Sequence, residues 1–407
     1  MTKEQEYARL LIQVGLNVQK GQNVVIHAPV DTAPFARLCM EEAYAVGARD
    51  VTVVYSDDAV TRAHFLNAED DVFDETPAWR CHLMNDYARE GAACLFIAAS
   101  DPMNLAGVEP IRILRNAKAK GRDLAEFYRL ETTNFFPWCI ASVPTEAWAK
   151  KVFPDSTPQE AMRLLGDAIY QTVRISGKGD SVALWREHLS MLTARTEKLN
   201  AYRFVSLHYK NSLGTDLTVR LPEGHLWQSG EDVTPKGQRF VANMPTEEIF
   251  TAPLKNGVDG IVYGAMPLVN SGNIIEDFYF VIKEGRIVEV HAKKGEEILK
   301  NAISVDEGAS YLGEVALIPY NSPISNQGIL YYETLFDENA SCHLAFGEAY
   351  PCLEGGADMS EEELKERGLN SSSQHVDFMV GTADLSIVGI THEGEEVVVF
   401  KDGDFAI

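Results

Sequence analysis

The chain has 407 residues, 45% of them hydrophobic and 24% charged, a composition that fits a folded globular protein and excludes a mainly disordered one. Its 60 acidic residues outweigh 36 basic ones for a net charge of −24, and so acidic a surface repels phosphate backbones and anionic headgroups. No nucleic-acid or membrane partner is expected. The six cysteines, Cys39, Cys81, Cys94, Cys139, Cys342 and Cys352, include no CxxC pair. Several lie in apolar stretches, where a thiol packs as a small hydrophobe. The start shows no signal-peptide pattern and no apolar run reaches bilayer-spanning length. The expectation is a reduced, cytoplasmic protein.

Taken in chain order, residues 4–18 place Tyr7, Leu10, Leu11, Val14 and Val18 on one helical face. A short apolar strand follows at Val24–Ala28, of the kind buried on both faces. Residues 32–46 read as a helix, with Asp31 or Thr32 as N-cap and Gly47 as stop. Further strands are expected at 50–55, 94–99 and 138–143, with a helix over 111–119 stopped by Gly121. This alternation implies an α/β domain with a doubly wound, mostly parallel sheet. No GxGxxG follows a strand, so no dinucleotide site is inferred. Two helices, 158–174 and 181–200, are separated by Ser176-Gly-Lys-Gly-Asp180. From Arg203 onward the pattern changes to period two, with strands at 204–209, 215–221, 260–263, 277–282, 286–290, 384–390 and 396–400. The chain is therefore divided into an α/β sheet domain, 1–185, and a β-rich α+β catalytic domain, 186–407.

The chemistry-bearing residues gather in the second domain. Asn243-Met-Pro-Thr-Glu-Glu-Ile-Phe-Thr-Ala-Pro253 carries two carboxylates beside a turn. Gly313-Glu314 begins an apolar strand, where a carboxylate is ordinarily solvated. Asp337-Glu-Asn-Ala-Ser-Cys-His343 sets Glu338 and His343 around small residues, Ala340 and Ser341, that would admit a ligand close to the backbone. Tyr350 follows within reach. His375-Val-Asp377 places two donors on one strand face, with Val376, Phe378 and Val380 toward the core. Taken singly, each is an ordinary polar residue. Counting one of the two acids at 247–248, they supply four carboxylates and two imidazoles, a set suited to two divalent ions and hydrolysis by an activated water. A structural zinc would want closely spaced Cys and His, which are lacking.

These segments in this order resemble the aminopeptidase T/aminopeptidase S (PepS-like) metallopeptidases, and Asp101-Pro-Met-Asn-Leu-Ala-Gly107 extends the resemblance into the first domain. The resemblance implies a homodimer with two catalytic metal ions (Zn²⁺, Co²⁺, Mn²⁺ or Mg²⁺) acting on peptides with a free N-terminus. It marks Glu248, Glu314, His343, His375 and Asp377 as ligands, with Glu338 as a sixth. Glu314 is the expected bridging carboxylate, and Tyr350 stands at the family's catalytic tyrosine. Glu314 or Glu247 would carry the proton to the leaving amine. Trp227 and residues 354–358 are candidate pocket walls, although burial in the core is the simpler reading of Trp227. The rival readings are another two-metal hydrolase, such as a dipeptidase or amidase, and a non-catalytic small-ligand-binding protein.

Overall fold

The computed structural model describes residues 1–270 and 273–407. They form two compact units, Met1–Leu189 with Glu231–Pro245, and Ser190–Gly230 with Thr246–Ile407. The first unit is built on a parallel sheet of β1 (Asn23–Pro29), β2 (Asp50–Ser56), β3 (Ala93–Ile97) and β4 (Trp138–Ala141). Its strand order is β4-β3-β1-β2, and the two-residue strand Asn243–Met244 pairs in parallel outside β4. Reversal of strand order beside β1 is the doubly wound arrangement expected from alternating apolar runs and helices.

Several elements differ in detail from the sequence reading. The first helix runs over Lys3–Leu10, started by a Thr2/Gln5 capping box, and then widens into a π turn over Leu11–Gly15. The apolar stripe persists through that change, with Tyr7, Leu10, Leu11 and Val14 all buried. Thr32 precedes the helix Ala33–Ala45, yet its hydroxyl donates to the carbonyl of Pro29 instead of capping. Gly121 does not stop its helix, which continues over Pro110–Asp123. A helical glycine costs only about 1 kcal/mol relative to alanine, which does not by itself end a helix. Helices Asp58–Asn67, Ala78–Glu90, Ala125–Thr132 and Glu146–Val152 have no counterpart in the sequence reading. Exposed apolar residues such as Val60, Trp79 and Leu83 blur their periodicity. Among the described residues no helix is long and apolar enough to cross a membrane.

The second unit holds two antiparallel sheets. The larger joins strands Ser206–Lys210, Asp216–Arg220, Val258–Tyr263, Asn273–Lys283, Arg286–Lys294, Ser386–Ile390 and Glu396–Lys401, with short strands at its edges. The smaller has the order His375–Met379, His343–Gly347, Leu312–Leu317, Ile249–Thr251, Gln228–Ser229. Between them lies one apolar core in which Phe280 meets Phe346 and Phe378 at ring distances of 6.0 and 5.2 Å. Alternation sends Leu344, Phe346 and Phe378 into this core. Their neighbours His343, Ala345 and Asp377 therefore point to the opposite face. Trp227 belongs to the core as well.

Candidate metal centre

The smaller sheet assembles the site by register. Ala345 lies opposite Glu314 on one side and Asp377 on the other, Gly347 opposite His375, and His343 opposite Ala316 and Met379. Ala345 thus stands between Glu314 and Asp377, and Gly347 beside His375, leaving space above the sheet. The small residues near His343 named from sequence act differently: Ser341 is used up in hydrogen bonds with Gly381. Register slips at Gly313, so that Leu312 pairs with Phe346 and Glu314 with Ala345. This bulge lets Leu312 face the core while Glu314, two residues on, faces the site. No side chain fits at position 313, where a Cβ would approach the carbonyl oxygen of Glu348 to 2.2 Å.

Glu314 is not the solvated strand-entry residue that its position in the sequence suggests. It lies within a strand buried at all six positions, Leu312–Leu317. Its Oε1 is 3.1 Å from His343 Nε2 and its Oε2 is 3.6 Å from His375 Nε2. His343 Nε2 also lies 3.7 Å from Glu248 and 3.9 Å from Asp377, while His375 Nε2 is 3.1 Å from Asp377. Two groups of donors result, Glu248/Glu314/His343 and Glu314/His375/Asp377, each with ligand atoms within 4.8 Å of one another. Glu314 is common to both. Glu338 lines a cavity together with His375 and Asp377, and burial and the charges of Asp377, Glu248 and Glu314 raise its carboxyl group well above the usual range.

Main-chain carbonyls orient both imidazoles. His343 Nδ1 donates to the carbonyl of Glu338 at 2.9 Å and His375 Nδ1 to that of Glu348 at 2.8 Å. A carbonyl only accepts, so the proton is on Nδ1 and Nε2 faces the acids in both rings. Desolvation disfavours a charged His343, yet its bond to Glu314 and the charges of Asp377 and Glu248 outweigh it, pushing its pKa up to about 9. His375 is pushed up to about 10 against the same desolvation, chiefly by its bond to Asp377. Glu248 is raised to about 7 by burial and the nearby Glu314. A cavity of about 370 Å³ opens beside Glu338, His375 and Asp377, and among the described residues no lysine or arginine lines it. A dense set of acids and imidazoles without a basic side chain to balance them fits a divalent cation.

The Tyr350 ring stands 5.5 Å from that of His375 and 6.0 Å from Phe250. The residue is 46% exposed, but desolvation of its hydroxyl and the charges of Glu314 and Asp377 hold it protonated well above the ordinary range. Glu247 is buried with its N–H donating to Asn339 Oδ1, and it belongs to neither donor group. The structure also brings Glu333 and Asp337 to the cavity, together with Leu268, Val269 and Met379. Asp337 stood inside a quoted motif, whereas nothing in the sequence distinguished the other four.

An α/β unit followed by a β-rich unit, with imidazoles and carboxylates converging on one sheet face, defines a metal-dependent hydrolase. Residues 2–405 match the family described as thermophilic metalloprotease (M29), and the chain belongs to that family. It is 44% identical over 401 residues to aminopeptidase AmpS of Bacillus subtilis, covering 98% of this chain and 97% of that one. It is also 44% identical over 405 residues to aminopeptidase PepS of Streptococcus thermophilus, covering 99% and 98%. The solved structure of wild-type AmpT from Thermus thermophilus superposes with a TM-score of 0.93 at 40% identity, covering 100% of this chain and 99% of AmpT.

Proposed function

We propose that this aminopeptidase removes N-terminal residues from peptides with a pair of divalent metal ions held at Glu314. Glu248, Glu314 and His343 would hold one ion, and Glu314, His375 and Asp377 the other, with Glu338 beside them. The observation that carries this reading is the shared carboxylate, whose two oxygens face different imidazoles at 3.1 and 3.6 Å. Mixed oxygen and nitrogen donors suit Zn²⁺, Co²⁺, Mn²⁺ or Mg²⁺.

When bound, such a pair supplies a water acidified toward neutral pH and a Lewis acid for the scissile carbonyl. The chain's own residues do the remaining work. Carbonyls of Glu338 and Glu348 keep both imidazoles with Nε2 inward. The Tyr350 hydroxyl would donate a hydrogen bond to the developing oxyanion. With both oxygens of Glu314 engaged by the ions, Glu247, which belongs to neither donor group, would take a proton from the attacking water and return it to the leaving amine. An acidic cavity favours a free amino terminus over a blocked one.

The test uses a leucine chromogenic amide with and without an N-acetyl group. Chelation abolishes cleavage of the free amine, and Zn²⁺, Co²⁺ or Mn²⁺ restores it; activity indifferent to chelator contradicts the proposal. Cleavage of the acetylated substrate favours a two-metal amidase instead. We also read the chain as a cytoplasmic homodimer. All six cysteines are free, which suits a reducing compartment, and the dimer follows from the family resemblance. Light scattering of the purified protein checks the mass.

A further inference from the structure

Resting on the peptidase reading of this site, one further residue of the cavity is left to account for. The proposed ligand set holds four carboxylates, Glu248, Glu314, Glu338 and Asp377, whose charge equals that of two divalent ions. Glu333 and Asp337 line the same cavity in addition. Asp337 is committed to its own turn, with Oδ1 accepting from the N–H of Tyr331 at 2.8 Å and further backbone bonds from Tyr332 and Glu333. Among the described residues the Glu333 carboxylate accepts one backbone bond, from Leu335, and no lysine or arginine lines the cavity around it. Burial accordingly raises its carboxyl group above the usual range.

The position of Glu333 is fixed. It precedes the short helix Thr334–Asp337, follows Tyr332 at φ 57°, and is braced by Tyr331 stacked on Phe336 at 4.7 Å. The same cavity is also lined by apolar Val269 and Met379, with Leu268 behind them in the core. An apolar lining together with a buried carboxylate that has no cationic partner among the described residues matches a long aliphatic stem ending in a cation. We propose that Glu333 is a specificity-determining residue that holds the cationic end of an arginine or lysine side chain at the N-terminus of the substrate.

The metal-loaded protein is assayed on arginine, lysine, citrulline and norleucine p-nitroanilides. Wild type should cleave the first two with kcat/KM about 10-fold or more above their neutral counterparts. Glu333→Gln should lower kcat/KM for arginine and lysine by about 10- to 100-fold, the range of a charged hydrogen bond. Citrulline and norleucine should stay within about twofold. Glu333→Lys should turn the preference toward a glutamate p-nitroanilide. An equal loss on all four substrates assigns Glu333 to the α-amino group or to folding and overturns the proposal, as does no change on any. If metal-loaded wild type cleaves none of them, the peptidase reading itself has failed.

Discussion

His27 in the parallel-sheet unit and His343 in the β-rich unit are both enclosed by protein, and their surroundings push them in opposite directions. His27 is stacked on Phe96 at a ring distance of 5.0 Å and bonded to Tyr87 at 2.8 Å, with no carboxylate beside it. Burial alone lowers its pKa to about 4, so it packs as a neutral ring. His343 is more deeply buried, yet Glu314, Asp377 and Glu248 raise it to about 9. Burial of an ionisable group by itself signals only packing. Burial of several acids around imidazoles signals a cation, because isolated charges are too costly to leave in the interior.

The largest expected effect comes from removing the group both halves of the site share. Glu314→Gln should lower turnover by at least about 10³-fold, since such residues act as a unit, and should reduce bound metal measured by elemental analysis. Full metal content with wild-type turnover would show that the acids form no working centre. Tyr350→Phe should lower kcat by about 10²- to 10³-fold at unchanged metal content, the cost of losing one oxyanion donor. Unchanged kcat would take Tyr350 out of the reaction.

The scaffold side of the comparison is sharpened by pH. The folded pKa of His27, about 4, lies below the unfolded value near 6.5. Its contribution is therefore fully present above pH 6.5 and is lost as pH falls through 4. Denaturant unfolding between pH 7 and 4 should show a loss of at most about 3 kcal/mol that His27→Gln lacks. Identical pH profiles would mean that His27 is not held neutral. The smallest effect concerns orientation. Gly313→Ala drives a methyl against the carbonyl of Glu348, the group that holds His375. Metal affinity by competitive chelation should fall by about 10- to 100-fold. Wild-type affinity would show that the bulge does not set the ligand geometry.

The parallel sheet was legible because its strands are continuous apolar runs, such as Val24-Val-Ile26, between helices of clean period. Helices with exposed tryptophan and leucine, such as Ala78–Glu90, lack that contrast and were missed. At the site, polar residues interrupting apolar strands made His343, His375 and Asp377 visible. Glu314 stood out too, but its burial depends on a bulge at Gly313 that only the cross-strand register reveals. The carbonyls of Glu338 and Glu348 were unreadable for a different reason: any residue offers a carbonyl, and only the fold aims it. Glu333 was hidden in the same way, since the residues that share its cavity come from distant parts of the chain.

Anomalous scattering from zinc-loaded crystals addresses the shared-carboxylate centre most directly. We predict two peaks in the cavity, one about 2.0–2.3 Å from donors of Glu248, Glu314 and His343, and the other equally close to donors of Glu314, His375 and Asp377. An empty cavity, or zinc bound only at surface carboxylates, would contradict the account.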